Sequence, residues 1–178
     1  MTFFPGRVFG RVMLTAALCS IGAGSMAQES TNQVAVKTDW SVFTEESPKE
    51  CWGVSSPKET VNSRDGAPVS VRRGDILLFV TFRPGAGASG EVSFTGGYPF
   101  APGSTVTADI GGTTFDLLSD GEWAWPVTAT DDASLLAAMK GGSTAILSAQ
   151  SGKGTKTQDT FSLSGFTAAM EEAETRCK

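Results

Sequence analysis

The 178-residue chain contains no histidine at all. That absence removes every Ser-His-Asp and Cys-His nucleophile arrangement, histidine metal ligation and histidine proton relays. Cysteine is scarce, at three residues, so an unaided structural zinc site is excluded as well. Positive charge is in deficit, with 14 Lys and Arg against 19 Asp and Glu. Such a balance argues against nucleic acid, whose phosphates require a basic surface, and offers no attraction to an anionic membrane. The largely apolar stretch from Val12 to Ala23 is shorter than the roughly 20 residues a retained membrane span needs, and it runs into Gly-Ala-Gly-Ser.

That stretch has another reading. Arg7 and Arg11 precede it, and Ser25-Met26-Ala27 supplies small residues three apart after it. Charged start, apolar middle and small-residue end predict a secretory signal peptide over residues 1–27, with cleavage after about Ala27. Cleavage removes two arginines and no acids, leaving 12 basic residues against 19 acidic ones, a formal charge of −7. It also removes Cys19. Residues 28–178 then form one domain in the periplasm or outside the cell, holding Cys51 and Cys177 where thiols oxidise. A Cys51–Cys177 bridge is expected; two separate buried thiols are the alternative.

Residues 28–37 are polar and patternless, which predicts a frayed start. Short strands are expected at Trp40–Phe43 and Cys51–Val54. Residues 55–70, with Pro57, Asn62, Gly66 and Pro68, read as a loop. Ile76–Phe82 is a continuous apolar run, the pattern of a strand buried on both faces. In Glu91–Phe94 the alternation puts Val92 and Phe94 on one face. Thr105–Ile110 and Thr113–Leu117, joined by Gly111-Gly112, predict a tight hairpin. A helix over Asp131–Lys140, capped by Thr130 or Asp131 and stopped by Gly141, precedes strands at Ala145–Ser148 and Asp159–Leu163. Phe166–Thr175 favours a second helix. Many short strands separated by Gly and Pro indicate a mainly β sandwich or barrel.

Several segments together resemble a known family. Cys51-Trp52-Gly53-Val54-Ser55-Ser56-Pro57, Arg73-Gly74-Asp75 leading into Phe79–Gly85, and Gly90–Phe100 are similar to the invasion-associated locus B family. Ala124-Trp125-Pro126, Met139-Lys140-Gly141, Gly154–Ala169 and Cys177 extend the resemblance across roughly Trp40 to Cys177. The resemblance implies a bacterial envelope or secreted protein with an immunoglobulin-like β-sandwich. It implies no active site and no cofactor.

The residues themselves offer little chemistry. Ser55-Ser56-Pro57-Lys58 fits S-x-x-K, but Pro57 opposes the helix that would hold the serine against the lysine. Gly152-Lys153-Gly154-Thr155 breaks the phosphate-loop spacing and reads as a hairpin turn. Glu45-Glu46 and Asp131-Asp132 are explained by solvation and helix capping. Arg73-Gly74-Asp75 is the tripeptide integrins recognise, yet its setting predicts a turn feeding the next strand. Trp123 and Trp125, two apart in a strand, project from one face, where exposed rings would meet a partner, although such a pair more often packs into a sandwich core or buries one ring where Pro126 ends the strand; Tyr98-Pro99-Phe100 is a similar apolar cluster that reads as a loop packed over the core. The expected function is therefore a non-enzymatic binding module with a protein partner at the envelope or a host surface, with Trp123, Trp125 and Tyr98 as its candidate contacts. A small carboxylate-dependent hydrolase or carbohydrate-active protein, or a structural envelope factor, is the alternative.

Overall fold

The computed structural model of the protein describes residues 32–178, so the expected signal segment lies outside the described residues. The chain order begins β1 (Gln33–Lys37), β2 (Trp40–Glu46), β3 (Lys49–Ser55), β4 (Glu59–Arg64), β5 (Ala67–Pro68), β6 (Leu77–Arg83) and β7 (Ala88–Thr95). It continues with β8 (Thr105–Ile110), β9 (Thr113–Asp120), β10 (Trp123–Trp125), helix α1 (Ala129–Gly141), β11 (Thr144–Gln150), β12 (Lys156–Ser162) and helix α2 (Phe166–Arg176). All strand pairs are antiparallel. They join in a single 12-stranded sheet ordered β1-β2-β3-β6-β7-β10-β9-β8-β11-β12-β4-β5.

This sheet curls on itself. Phe94 of β7 packs edge-on against Phe161 of β12 at 6.1 Å between ring centroids, although four strands separate the two in the hydrogen-bonded order. Trp40 of β2 donates its indole N–H to the Ser162 carbonyl of β12 at 3.0 Å. The core lies between the facing halves and includes Val42, Leu78, Val80, Val92, Leu117 and Leu147, all buried. The mainly β expectation with two helices therefore holds. A division into two separately hydrogen-bonded sheets is not what the strands do, because the three-residue β10 bonds both β7 and β9 and keeps the ladder continuous.

Several expectations need correction. Leu77–Arg83 is not buried on both faces: Leu78, Val80 and Phe82 are buried while Leu77, Phe79 and Thr81 are half-exposed. Residues 33–37 are not frayed but form the edge strand β1, and residues 59–68 are not a loop but β4 and β5. Helix α1 is capped by neither Thr130 nor Asp131 alone. Thr128 accepts from the Asp131 backbone and Asp131 returns a side-chain acceptor to the Thr128 N–H, a reciprocal capping box. The helix does stop where expected, with Gly141 its last residue and Gly142 its C-cap. The Gly111-Gly112 hairpin is present, with φ of 60° and 89° at its two central residues.

Helix α2 closes the structure. Its buried face, Phe166, Ala169, Met170 and Ala173, lies against β2 and β3, with the Trp40 and Phe166 rings 4.9 Å apart. A Cβ on Gly53 would fall 2.2 Å from the Met170 Cε, so the absence of a side chain on β3 is what lets the helix seat. Just beyond α2, Cys177 is bonded to Cys51 of β3, with a Cα–Cα separation of 5.7 Å.

Candidate functional site

Strand alternation sends every second residue away from the core. In β10, Ala124 is fully buried, so Trp123 and Trp125 both face outward, 44% and 37% exposed. Antiparallel register sets Leu118 of β9 beside Trp125, and Leu118 is 50% exposed. Val127, just past the strand, is 68% exposed. Pro126 ends β10, as its missing N–H requires.

The same outward face continues across the sheet. Trp123 lies 5.8 Å from Phe79 of β6, and Phe79 pairs with Val54 of β3. On the neighbouring pair, Trp52 and Phe43 stack with ring centroids 5.6 Å apart and planes within 7°. An apolar stripe thus crosses from β2 to β9 on the side opposite the core. Trp123 and Trp125 were legible as a pair from their spacing. Phe79 was not, because the unbroken apolar run Ile76–Phe82 conceals the alternation that exposes it.

Next to Trp125 opens a cleft of about 670 Å³, bounded by β7 and the start of α1 and lined by Arg83, Glu91, Trp125, Val127 and Asp132 among others. Arg83 forms ion pairs with both Glu50 and Glu91. Asp132 accepts the Val92 backbone N–H at 2.8 Å, satisfying a donor that no strand partner reaches. Burial pushes the Asp132 carboxyl above its ordinary pKa; the Val92 N–H opposes that push, and the charges of Glu91 and Asp131 add to it.

Tyr98 does not join the exposed face. It is half-buried, its hydroxyl is 2.6 Å from Thr157 Oγ1, and its ring packs edge-on against Phe100 at 5.2 Å. Over that ring sits the Arg73 guanidinium, 5.0 Å from the centroid. Arg73 donates to both carboxylate oxygens of Asp159, at 2.7 and 2.6 Å, and through Nε to the Gly96 carbonyl. The Arg73 and Asp159 side chains are 6% and 0% exposed. Burial raises the Asp159 pKa while the guanidinium works against it. The Arg-Gly-Asp tripeptide therefore does not present its arginine at the surface, and the expected turn is not there: residues 69–76 run into β6 as neither turn nor strand, with the Arg73 side chain buried.

The glycine that this arrangement demands is Gly97 rather than Gly74. Gly74 has no positive φ, whereas Gly97 sits at φ 70° and a Cβ there would meet the Gly74 backbone at 2.6 Å. Ser55 and Lys58 both turn to Asp39: the hydroxyl donates to its carbonyl at 2.7 Å and the ammonium pairs with its carboxylate. Residues 151–155 form the turn between β11 and β12. Among the described residues there is no cluster of Cys, Asp or Glu able to hold a metal ion, and no helix long and apolar enough to cross a membrane.

None of the curated proteins matches the chain. Among solved structures it is similar to the crystal structure of invasion associated protein B from Bartonella henselae, at 15% identity and a TM-score of 0.53, covering 78% of this chain and 94% of that one. At that identity the likeness speaks for the fold, and it agrees with the family resemblance read from the residues. The family model described as Invasion associated locus B (IalB) protein matches residues 124–174, a stretch that runs from the buried Ala124 between the two exposed tryptophans into α2. Over that stretch the chain is similar to the invasion associated locus B family, in keeping with the resemblance read from its residues.

Proposed function

We propose that the protein is an exported, non-enzymatic binding module that meets a protein partner through the outward aromatic face around Trp123 and Trp125. One observation carries this reading: of the six exposed large hydrophobic residues among the described residues, Leu118, Trp123, Trp125 and Val127 lie together on or beside β9 and β10. Exposed apolar residues scattered singly need no explanation, whereas a contiguous group rich in tryptophan marks a contact surface. The bridge between Cys51 and Cys177 supports a site of action in the periplasm or outside the cell. The name of the Bartonella relative associates that protein with invasion. A host surface is the corresponding place to look for this chain's partner. Export predicts an intact mass beginning at Gln28, and a secreted form retaining residues 1–27 would contradict it.

The test is a comparison of immobilised wild-type protein with Trp123→Ala/Trp125→Ala on envelope and host-cell extracts. A partner retained by the wild type and lost by the variant is expected. Capture that is identical for the two proteins, or absent for both, would sink the proposal. Both substitutions lie on the exposed face, so the variant should melt within a few degrees of the wild type.

The cleft beside Trp125 favours one second reading, a carboxylate-dependent hydrolase, since it holds Glu91 and an Asp132 of raised pKa. Against it, Glu91 is held by Arg83 and Asp132 is engaged by the Val92 N–H. Asp132→Asn keeps an acceptor for that N–H. Hydrolysis of a glycoside panel by the wild type, abolished in Asp132→Asn, would establish the second reading over the first.

A further inference from the structure

The acid excess of the chain is locally reversed where several basic side chains gather. A cavity of about 520 Å³ lies where the end of β4, the stretch before β6, the Tyr98-Pro99 loop and the β11–β12 turn converge, and its lining includes Arg64, Arg72, Arg73 and Lys153 but no acidic residue. Arg73 is neutralised by Asp159. Arg64, Arg72 and Lys153 form no ion pair among the described residues, although Lys37, Lys58, Arg83, Arg176 and Lys178 each do. Three unneutralised cations from three separate segments thus face one concave space in a protein of net negative charge. Like charges so gathered repel one another, and an anion between them relieves the repulsion.

The walls are braced rather than loose. Arg64 Nη2 donates to Thr155 Oγ1 at 2.6 Å, which orients one edge of its guanidinium and leaves the other edge free. The Gly152 N–H donates to the Pro99 carbonyl, tying the turn to the opposing loop. Ser151 Oγ accepts from the backbone N–H groups of Lys153 and Thr155, shaping the turn that carries Lys153. Beneath the cations the lining is apolar, from Val71, Pro99 and the Tyr98 ring. Planar guanidinium groups match the oxygens of a phosphate in pairs, and a lysine adds a point charge. The apolar floor suits the carbon skeleton that bears the phosphate, and the volume fits a ligand of one or two sugar rings.

We infer that this cavity binds a phosphate monoester carried on a sugar-sized skeleton, through Arg64, Arg72 and Lys153. The same headgroup chemistry occurs in soluble sugar phosphates and in phosphorylated lipids, and the experiment separates the two. Residues 28–178 are titrated, by calorimetry at constant ionic strength, with a hexose 6-phosphate, with the uncharged hexose, and with phosphatidylcholine vesicles containing phosphatidic acid. Binding of the hexose phosphate without the hexose assigns a soluble ligand; binding of the vesicles alone assigns a lipid-borne one. Arg72→Gln/Lys153→Gln, both exposed and without structural bonds from their side chains, should weaken whichever binding is seen by at least about tenfold. Lys140→Gln, on α1 and outside the cavity lining, should leave it unchanged. No binding of either phosphate probe, an unaltered affinity in the double variant, or an equal loss in Lys140→Gln would overturn the assignment.

Discussion

Arg73 shows how a surface motif in sequence becomes an interior strut in the fold. Its guanidinium bonds Asp159, Gly96 and Asn62 and covers the Tyr98 ring, so three segments distant in sequence meet on one side chain. Removing one partner leaves the other charge buried and uncompensated, a loss of about 3–5 kcal/mol. Asp159→Ala is accordingly expected to lower the denaturation midpoint strongly. Arg73→Met/Asp159→Leu, which removes both charges while keeping volume, should recover much of the loss, and a double variant no better than Asp159→Ala would refute the pairing. Gly97→Ala acts at the same place by sterics alone. It forces a Cβ into the Gly74 backbone at a left-handed position and should cost about 1–3 kcal/mol, read as a shift in midpoint without change in the partner-binding face.

At the scale of elements, two ion pairs fasten the first strands to what lies around them. Lys58 holds the Asp39 carboxyl below its ordinary pKa at the β1–β2 turn, with Ser162 of β12 assisting. Lys37 of β1 does the same for Glu172 of α2, with Arg176 assisting. For each acid the unfolded chain binds its proton more tightly than the folded one. Their stabilisation is therefore complete above the ordinary carboxylate range near pH 4 and fades as pH falls through the lowered folded values. Asp39→Asn should flatten the acid limb of a stability profile measured by urea denaturation between about pH 7 and pH 3; a limb as steep as that of the wild type would contradict the assignment. Asp132 runs the other way, since a raised carboxyl favours the folded state below its ordinary pKa and loses that contribution as pH rises. The strands that sequence reading found were those with buried alternation or paired turn glycines, such as Val92 with Phe94 and the Gly111-Gly112 hairpin. It missed β1, β4 and β5 because these strands near the ends of the sheet bury almost nothing, so Glu59–Arg64 carries no apolar period to detect. The Trp123–Trp125 pair was visible from spacing alone. The gathering of Arg64, Arg72 and Lys153 was not, because only tertiary folding brings 64, 72 and 153 to one cavity.

Across the whole molecule, one covalent bond joins the third strand to the end of the chain. Cys51 and Cys177 are separated by 126 positions, and between them lie every strand from β4 to β12 and both helices. Without the bond, α2 is held by its buried face against β2 and β3 and by the Lys37–Glu172 pair. With it, the unfolded chain is denied the extended states that a loop of this length would otherwise sample, which the chain-entropy account values at about 4–5 kcal/mol. Cys51→Ala/Cys177→Ala should then lose about that much stability. Because α2 lies at the bonded end, its amides should lose hydrogen-exchange protection more than those of β8 and β9. A uniform loss across the sheet would show instead that the bridge acts on the unfolded chain alone. An unchanged midpoint would show that the curled sheet and the seating of Met170 over Gly53 hold the helix without it.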